Sequence, residues 1–169
     1  VKIDSLAYMP AQDFGNAFST FIGQNYGAKK TDRIQQGIKS AIKISFLFCL
    51  IISVGVFIFA RPLMTIFIDS SETEIINIGV DYLRIEGSFY FGIGILFLLY
   101  GFYRAINFPS MSVILTIISL GTRVGLAYYL ASIPSIGVIG IWWSIPIGWA
   151  LADIFGIVYY KRKIKQLHF

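Results

Sequence analysis

Charge is the first thing this chain lacks. Only 14% of its 169 residues are Asp, Glu, Lys or Arg, whereas a soluble domain uses roughly a quarter. Hydrophobic residues make up 56%, aromatic residues 17%, and the mean hydropathy is +0.72. So few charges do not coat a water-soluble globule, and the apolar excess requires lipid as its solvent. Cysteine and histidine are almost missing too, with Cys49 and His168 the single examples. That excludes an internal disulfide and a His/Cys metal constellation. Cys49 lies inside an apolar run and is expected to pack as a small apolar residue. No GxSxG, HExxH or P-loop pattern occurs, so no enzyme and no cofactor are expected.

A secretory signal is also missing, because Lys2 and Asp4 precede a mixed helix rather than a short apolar core. The start at Val1 leads us to expect a piece of something longer. The net charge of +5 is the usual Lys/Arg bias of cytoplasmic loops rather than a sign of nucleic acid.

What is present is long apolar runs. A bilayer core of roughly 30 Å takes about 20 helical residues to cross. Ile42 to Phe59, Ile85 to Ile106, Met111 to Ala131 and Ile136 to Tyr160 meet that length, and Ser5 to Tyr26 is a more polar fifth. The predicted fold class is therefore all-α, a polytopic transmembrane helix bundle of about five spans in a single membrane domain, 1–169. Helices are expected over 5–27, 34–60, 72–106, 109–131 and 136–164, with the second stopped by Arg61-Pro62 and the first kinked at Pro10. Asp69, Ser70, Ser71 and Thr73 are expected to cap the third.

Loop charges set the topology. Lys29, Lys30, Arg33, Lys39 and Lys43 follow the first helix, Arg104 the third, and Lys161, Arg162, Lys163 and Lys165 the last. Asp69, Glu72 and Glu74 lie between the second and third. Loops one and three and the C-terminus are thus expected in the cytoplasm, and loops two and four outside. Trp142 and Trp143 at one end of the last span, with Tyr159 and Tyr160 at the other, fit interfacial belts.

The first helix divides into two faces. Gln12, Asn16, Ser19 and Gly23 recur at helical spacing, with Asp13, Thr20, Gln24 and Gly27 one step round, while Leu6, Phe14, Phe18, Phe21 and Ile22 form the other side. The polar stripe is either a cavity wall or a seam of interhelical hydrogen bonds and small-residue packing. Charges inside spans are default functional candidates. Asp13 and Arg123 both lie roughly 18–20 Å from the cytoplasmic ends of their helices at ~1.5 Å per residue. At matched depth they are expected to face each other or share one polar network. Glu86, within a turn of the outer end, reads as a solvated or capping residue, and Asp153 as a structural one that snorkels or pairs. Phe89, Tyr90, Phe97 and Tyr100 either pack or contact aromatic cations.

The run from Lys2 through Met9-Pro10, then Phe14-Gly-Asn-Ala-Phe-Ser-Thr20, ending Gly23-Gln-Asn-Tyr-Gly-Ala28, resembles the multidrug and toxic compound extrusion (MATE) family. Lys29-Lys30, Arg61-Pro62-Leu63 and Tyr103-Arg104-Ala105 look similar too. Gly23, Gln24, Asn25, Gly27 and Ala28 stand where that family has its Gln/Asn-x-Gly-Ala signature. The resemblance implies helices eight to twelve of a two-lobe transporter, with the N-terminal lobe of the same polypeptide as partner. It implies multi-pass residence in the plasma (inner) membrane and antiport of small organic, often cationic substrates against H+ or Na+ by alternating access. With no nucleotide motif, transport would draw on an ion gradient. Some family members carry an acid in the middle of the tenth helix. Here that stretch is Gly92-Ile-Gly-Ile-Leu-Phe-Leu-Leu-Tyr100, which leaves Asp13, Glu86 or the other lobe to carry coupling. Two other readings remain: a lipid-linked oligosaccharide flippase of related architecture, and a non-catalytic membrane interaction subunit.

Overall fold

The computed structural model describes residues 2–164, so Val1, Lys165 and His168 lie outside the described residues. Six helices follow one another: α1 (Ser5–Gly27), α2 (Thr31–Thr65), α3 (Thr73–Gly87), α4 (Tyr90–Ala105), α5 (Pro109–Ala131) and α6 (Val138–Tyr159), closed by a π-helical turn, Tyr160–Ile164. The last helix expected at 136–164 is therefore α-helical only to Tyr159.

Among the described residues, three helical stretches are long and apolar enough to cross a membrane: Thr31–Thr65, Pro109–Ala131 and Val138–Arg162. The pair α3 and α4, bent by 49° where they meet, makes a fourth. α1 has the length, at 23 residues, but is too polar to qualify alone. It depends on the bundle to cover it.

Two helix boundaries correct the sequence expectation. The helix expected at 34–60 runs on through Pro62 to Thr65, and the proline bends it instead of ending it. Pro62 has no N–H for the Ile58 carbonyl and its ring presses on that carbonyl, and the backbone leaves helical geometry at Phe59 (φ −96°, ψ 16°). The helix expected at 72–106 is two helices. It breaks at Ser88-Phe89, with Phe89 at φ −116°, ψ 18°. The apolar periodicity passes through this break, which is why the pattern reads as one span. By contrast α1 continues as α-helix past Pro10.

The expected cap at the start of α3 is also not formed. Asp69 Oδ1 accepts from the Ser71 backbone N–H at 2.9 Å and the Ser71 hydroxyl at 2.8 Å, closing a local turn ahead of the helix. Glu72 takes the N-cap position without a side-chain bond.

α4 is the centre of the bundle and packs against α1, α2, α5 and α6, while α5 pairs closely with α6 and α3 with α2. The α1–α4 contact is tight because both helices present glycine. A Cβ placed on Gly101 would lie 2.4 Å from the Gly15 carbonyl oxygen, and one on Gly15 would lie 2.8 Å from that of Phe97. The Tyr103 hydroxyl donates to the Gly156 carbonyl at 2.6 Å and ties α4 to α6. Cys49 is fully buried beside Gly94, a small apolar filler as expected. Outward-facing Leu47, Ile51, Val54 and Ile58 of α2, and Ile117, Leu120 and Val124 of α5, are exposed, as helices facing lipid are.

Local chemistry sets the chain reversals. α1 ends with Lys29 in the left-handed region (φ 55°), while the Lys30 N–H reaches back to the Asn25 carbonyl at 2.9 Å. α4 ends the same way at Asn107 (φ 61°), with the Phe108 N–H on the Tyr103 carbonyl at 2.9 Å. Both satisfy carbonyls that a helix end leaves open.

Candidate functional site

Acid and tyrosine sit one helical turn apart on two elements, in opposite order. Asp4 and Tyr8 do so at the start of α1, and Tyr82 and Glu86 do so near the end of α3. Residues at i and i+4 share a helix face, so the two pairs form matching ladders. They meet in register. The Tyr82 hydroxyl donates to Asp4 Oδ2 at 3.1 Å, and the Tyr8 hydroxyl donates to Glu86 Oε1. Tyr90, the first residue of α4, adds a bond to Asp4 Oδ1 at 2.7 Å. Each carboxylate thus faces the other ladder's tyrosine.

The cluster is dry. Asp4 and Glu86 are each 2% exposed and Tyr90 is wholly buried. Tyr8 packs edge-on to Tyr90 and Trp149, both at 5.9 Å between ring centroids, and Tyr82 edge-on to Trp142 at 6.0 Å. Glu86 Oε2 has no hydrogen-bond partner. Glu86 therefore is not the solvated or capping residue expected from its place near a span end. The break after Gly87 turns α3 so that this face points into the bundle. Asp4 stands ahead of the first span, where charge within a span does not single it out. The repeated four-residue spacing of acid and tyrosine was the available signal.

The Cβ of Arg123 on α5 lies where a side chain on Gly148 of α6 would touch it, at 3.5 Å. The expected meeting of Arg123 with Asp13 does not occur. Asp13 is exposed on α1, α1 and α5 are not a packed pair, and no ion pair links the two. Matched depth places two residues at one level but leaves their direction round each helix open. Asp153 stays inside the bundle rather than snorkelling. It is 7% exposed on α6, and its Oδ1 has no partner.

The polar stripe of α1 splits between both of its readings. Ser19 and Gly23 sit at the α1–α4 seam beside Gly101 and Ala105. Gln12 and Asn16 are exposed and line a cavity of about 370 Å³ with Phe97, Tyr100 and Arg104 of α4 and Thr116 of α5. The Arg104 guanidinium donates from Nη2 to Asn16 Oδ1 at 2.9 Å and from Nε to the Tyr100 carbonyl at 3.2 Å. The Thr116 hydroxyl lies 3.2 Å from that of Tyr100. Of the four aromatic residues singled out in this span, Tyr90 is packed in the acid cluster, and Phe97 and Tyr100 wall the cavity. Phe89 meets Trp143 edge-on, at 5.5 Å between ring centroids. Within the signature stretch, Asn25 is buried and its amide donates to the Phe21 carbonyl at 2.8 Å. Gln24, Gly27 and Ala28 are exposed where α1 turns into the basic loop.

Lipid-facing apolar helices around a buried acid cluster and a polar cavity define an integral membrane protein of the polytopic helical class. A family model described as MatE matches residues 1–129, and the chain belongs to that family, whose members are transporters and not enzymes. The chain is 28% identical over 143 residues to the probable multidrug resistance protein NorM of Thermotoga maritima, covering 84% of this chain and 30% of that protein. It is 33% identical over 162 residues to the multidrug export protein MepA of Staphylococcus haemolyticus, covering 92% and 35%. The outward-facing conformation of a multidrug resistance MATE family transporter superposes with a TM-score of 0.91 at 26% identity, covering 98% of this chain and 37% of that one. The inward-facing conformation of such a transporter gives 0.89 at 25% identity, covering 98% and 38%. The chain spans about a third of the length of the curated relatives it matches.

Proposed function

We propose that this chain forms most of one lobe of a secondary active multidrug exporter, exchanging organic compounds for H+ or Na+ by alternating access. The observation that carries the reading is Glu86, a carboxylate buried at the break of a bent span with one oxygen unpartnered. An ionised carboxylate in such a place costs several kcal/mol unless it is compensated. Burial therefore favours a form of Glu86 that holds a proton or a cation. Because Glu86 and Tyr90 flank the break, their bonds to Tyr8 and Asp4 hold α3, α4 and α1 in one arrangement. A cation that binds one arrangement better shifts the population toward it, and broken helices are where carriers commonly place such sites.

The second lobe, elsewhere in the polypeptide, completes the central cavity. In this reading Gln12 and Asn16 are cavity wall, Asp13 is a second acid on the cavity side of α1, and Ser19 holds the seam. The protein resides in the plasma (inner) membrane with its C-terminus cytoplasmic, because the basic loop after α1 and Lys161 and Arg162 after α6 fall on one side.

The test is ethidium efflux by the full-length polypeptide in cells stripped of their own exporters, with H+ and Na+ gradients collapsed in turn. Wild type is expected to lower accumulation under one gradient, and Glu86→Gln to lose that effect while remaining in the membrane. Full efflux in Glu86→Gln removes coupling from Glu86. Loss in Asp13→Asn instead moves coupling to α1.

A further inference from the structure

The cavity between α1, α4 and α5 differs in chemistry from the acid cluster. Arg104 is the one charged side chain lining it, and the polar groups around the guanidinium are amides and hydroxyls. Two of the guanidinium's five N–H groups are committed, to Asn16 Oδ1 and to the Tyr100 carbonyl. The rest of the fork remains for a ligand. Since Asn16 accepts through its oxygen, its amide nitrogen is left as a further donor. Phe97 and Tyr100 supply apolar wall, their rings edge-to-face at 6.3 Å. A volume of about 370 Å³ lies within the range of small-molecule sites.

We propose that this cavity binds the anionic end of an amphipathic organic compound, a sulfonate or carboxylate on Arg104 and Asn16 with its aromatic body against Phe97 and Tyr100. Guanidinium forks match two-oxygen anions in a bidentate geometry. The same positive charge repels an organic cation. The expectation of cationic substrates therefore does not extend to this cavity. As a substrate subsite the assignment rests on the export reading, but binding itself is measurable without transport.

Equilibrium dialysis of the full-length polypeptide in detergent, with naphthalene-1-sulfonate and 1-naphthylmethylammonium as a matched pair, tests the site. Wild type is expected to bind the sulfonate and discriminate against the ammonium. Arg104→Gln is expected to lose sulfonate affinity by at least about tenfold, the scale of a hydrogen bond to a charged group. Thr116→Leu fills the cavity without touching the guanidinium and is expected to weaken the sulfonate too, which separates ligand loss from disruption of the Arg104–Asn16 bond. Equal binding of the two naphthalenes by wild type, or sulfonate affinity unchanged in both variants, overturns the proposal. Displacement of the sulfonate by dioleoylphosphatidylglycerol at lower concentration than by unlabelled sulfonate also overturns it, by assigning the site to a lipid headgroup. Wild-type ethidium efflux, run in parallel, reads the export function separately. Efflux without sulfonate binding rejects the anion site alone, and sulfonate binding without efflux of any probe rejects the export reading alone.

Discussion

Tyr8 and Glu86 lie 78 residues apart and share a hydrogen bond in the middle of the bundle, and Asp4 and Tyr82 share one at the same separation. Equal offsets mean that the start of α1 and the end of α3 run parallel here, so one register serves both bonds. Removing a single hydroxyl therefore tests a ladder and not an isolated contact.

Tyr8→Phe keeps the ring against Tyr90 and Trp149 but removes the hydroxyl that donates to Glu86 Oε1. A buried polar group stripped of its partner costs about 1–3 kcal/mol. The variant is expected to unfold at lower temperature in detergent than wild type. Glu86→Gln, which retains an acceptor for Tyr8, is expected to melt close to wild type. A Tyr8→Phe protein as stable as wild type removes this bond from the forces that hold α1.

Gly101→Ala puts a methyl group 2.4 Å from the Gly15 carbonyl oxygen, and backbone does not yield as a flexible side chain does. Overpacking of this kind costs about 1–3 kcal/mol, and the separation of α1 from α4 also opens the cavity at Arg104. Gly125→Ala is the control, since nothing lies within 4 Å of a Cβ there. In a helix interior that change is expected to stabilise by up to about 1 kcal/mol. Opposite shifts in melting temperature are the expected result, and equal shifts overturn the tight α1–α4 crossing.

Asp69 lies in the loop between α2 and α3, where two hydrogen bonds from Ser71 hold its carboxyl below the ordinary value of 3.8. The folded loop therefore favours the ionised form. Its contribution is present at pH above 3.8 and is lost as pH falls through the lower folded value. Ser71→Ala removes the hydroxyl donor and leaves the backbone one, so the carboxyl is expected to titrate part of the way back toward 3.8. Carboxyl carbon-13 NMR measures this directly, and an unchanged titration shows the hydroxyl bond to be immaterial.

The apolar runs make the all-α membrane class legible without coordinates, and the spacing along α1 makes its polar face legible. Runs of one composition report solvent, and 3.6-residue spacing reports a face. Three readings failed for the same reason. Pro62 looked like a stop, Ser88-Phe89 passed unnoticed, and Asp13 and Arg123 looked like partners. In each case the sequence carries position along an axis, and the outcome depended on direction around it or on a bend within it.

Charge scarcity, the apolar runs and the MATE-like run through Ala28 were determined by sequence alone, because composition and local spacing act within a single helix. Only the tertiary structure decided that Glu86 is buried against Tyr8, that Ser19 holds a seam while Asn16 lines a cavity, and that Arg104 supplies that cavity's charge. Those outcomes depend on a 49° bend between α3 and α4 and on a glycine crossing of α1 with α4. Bends and crossings are properties of two helices together, and no periodicity in one helix encodes them.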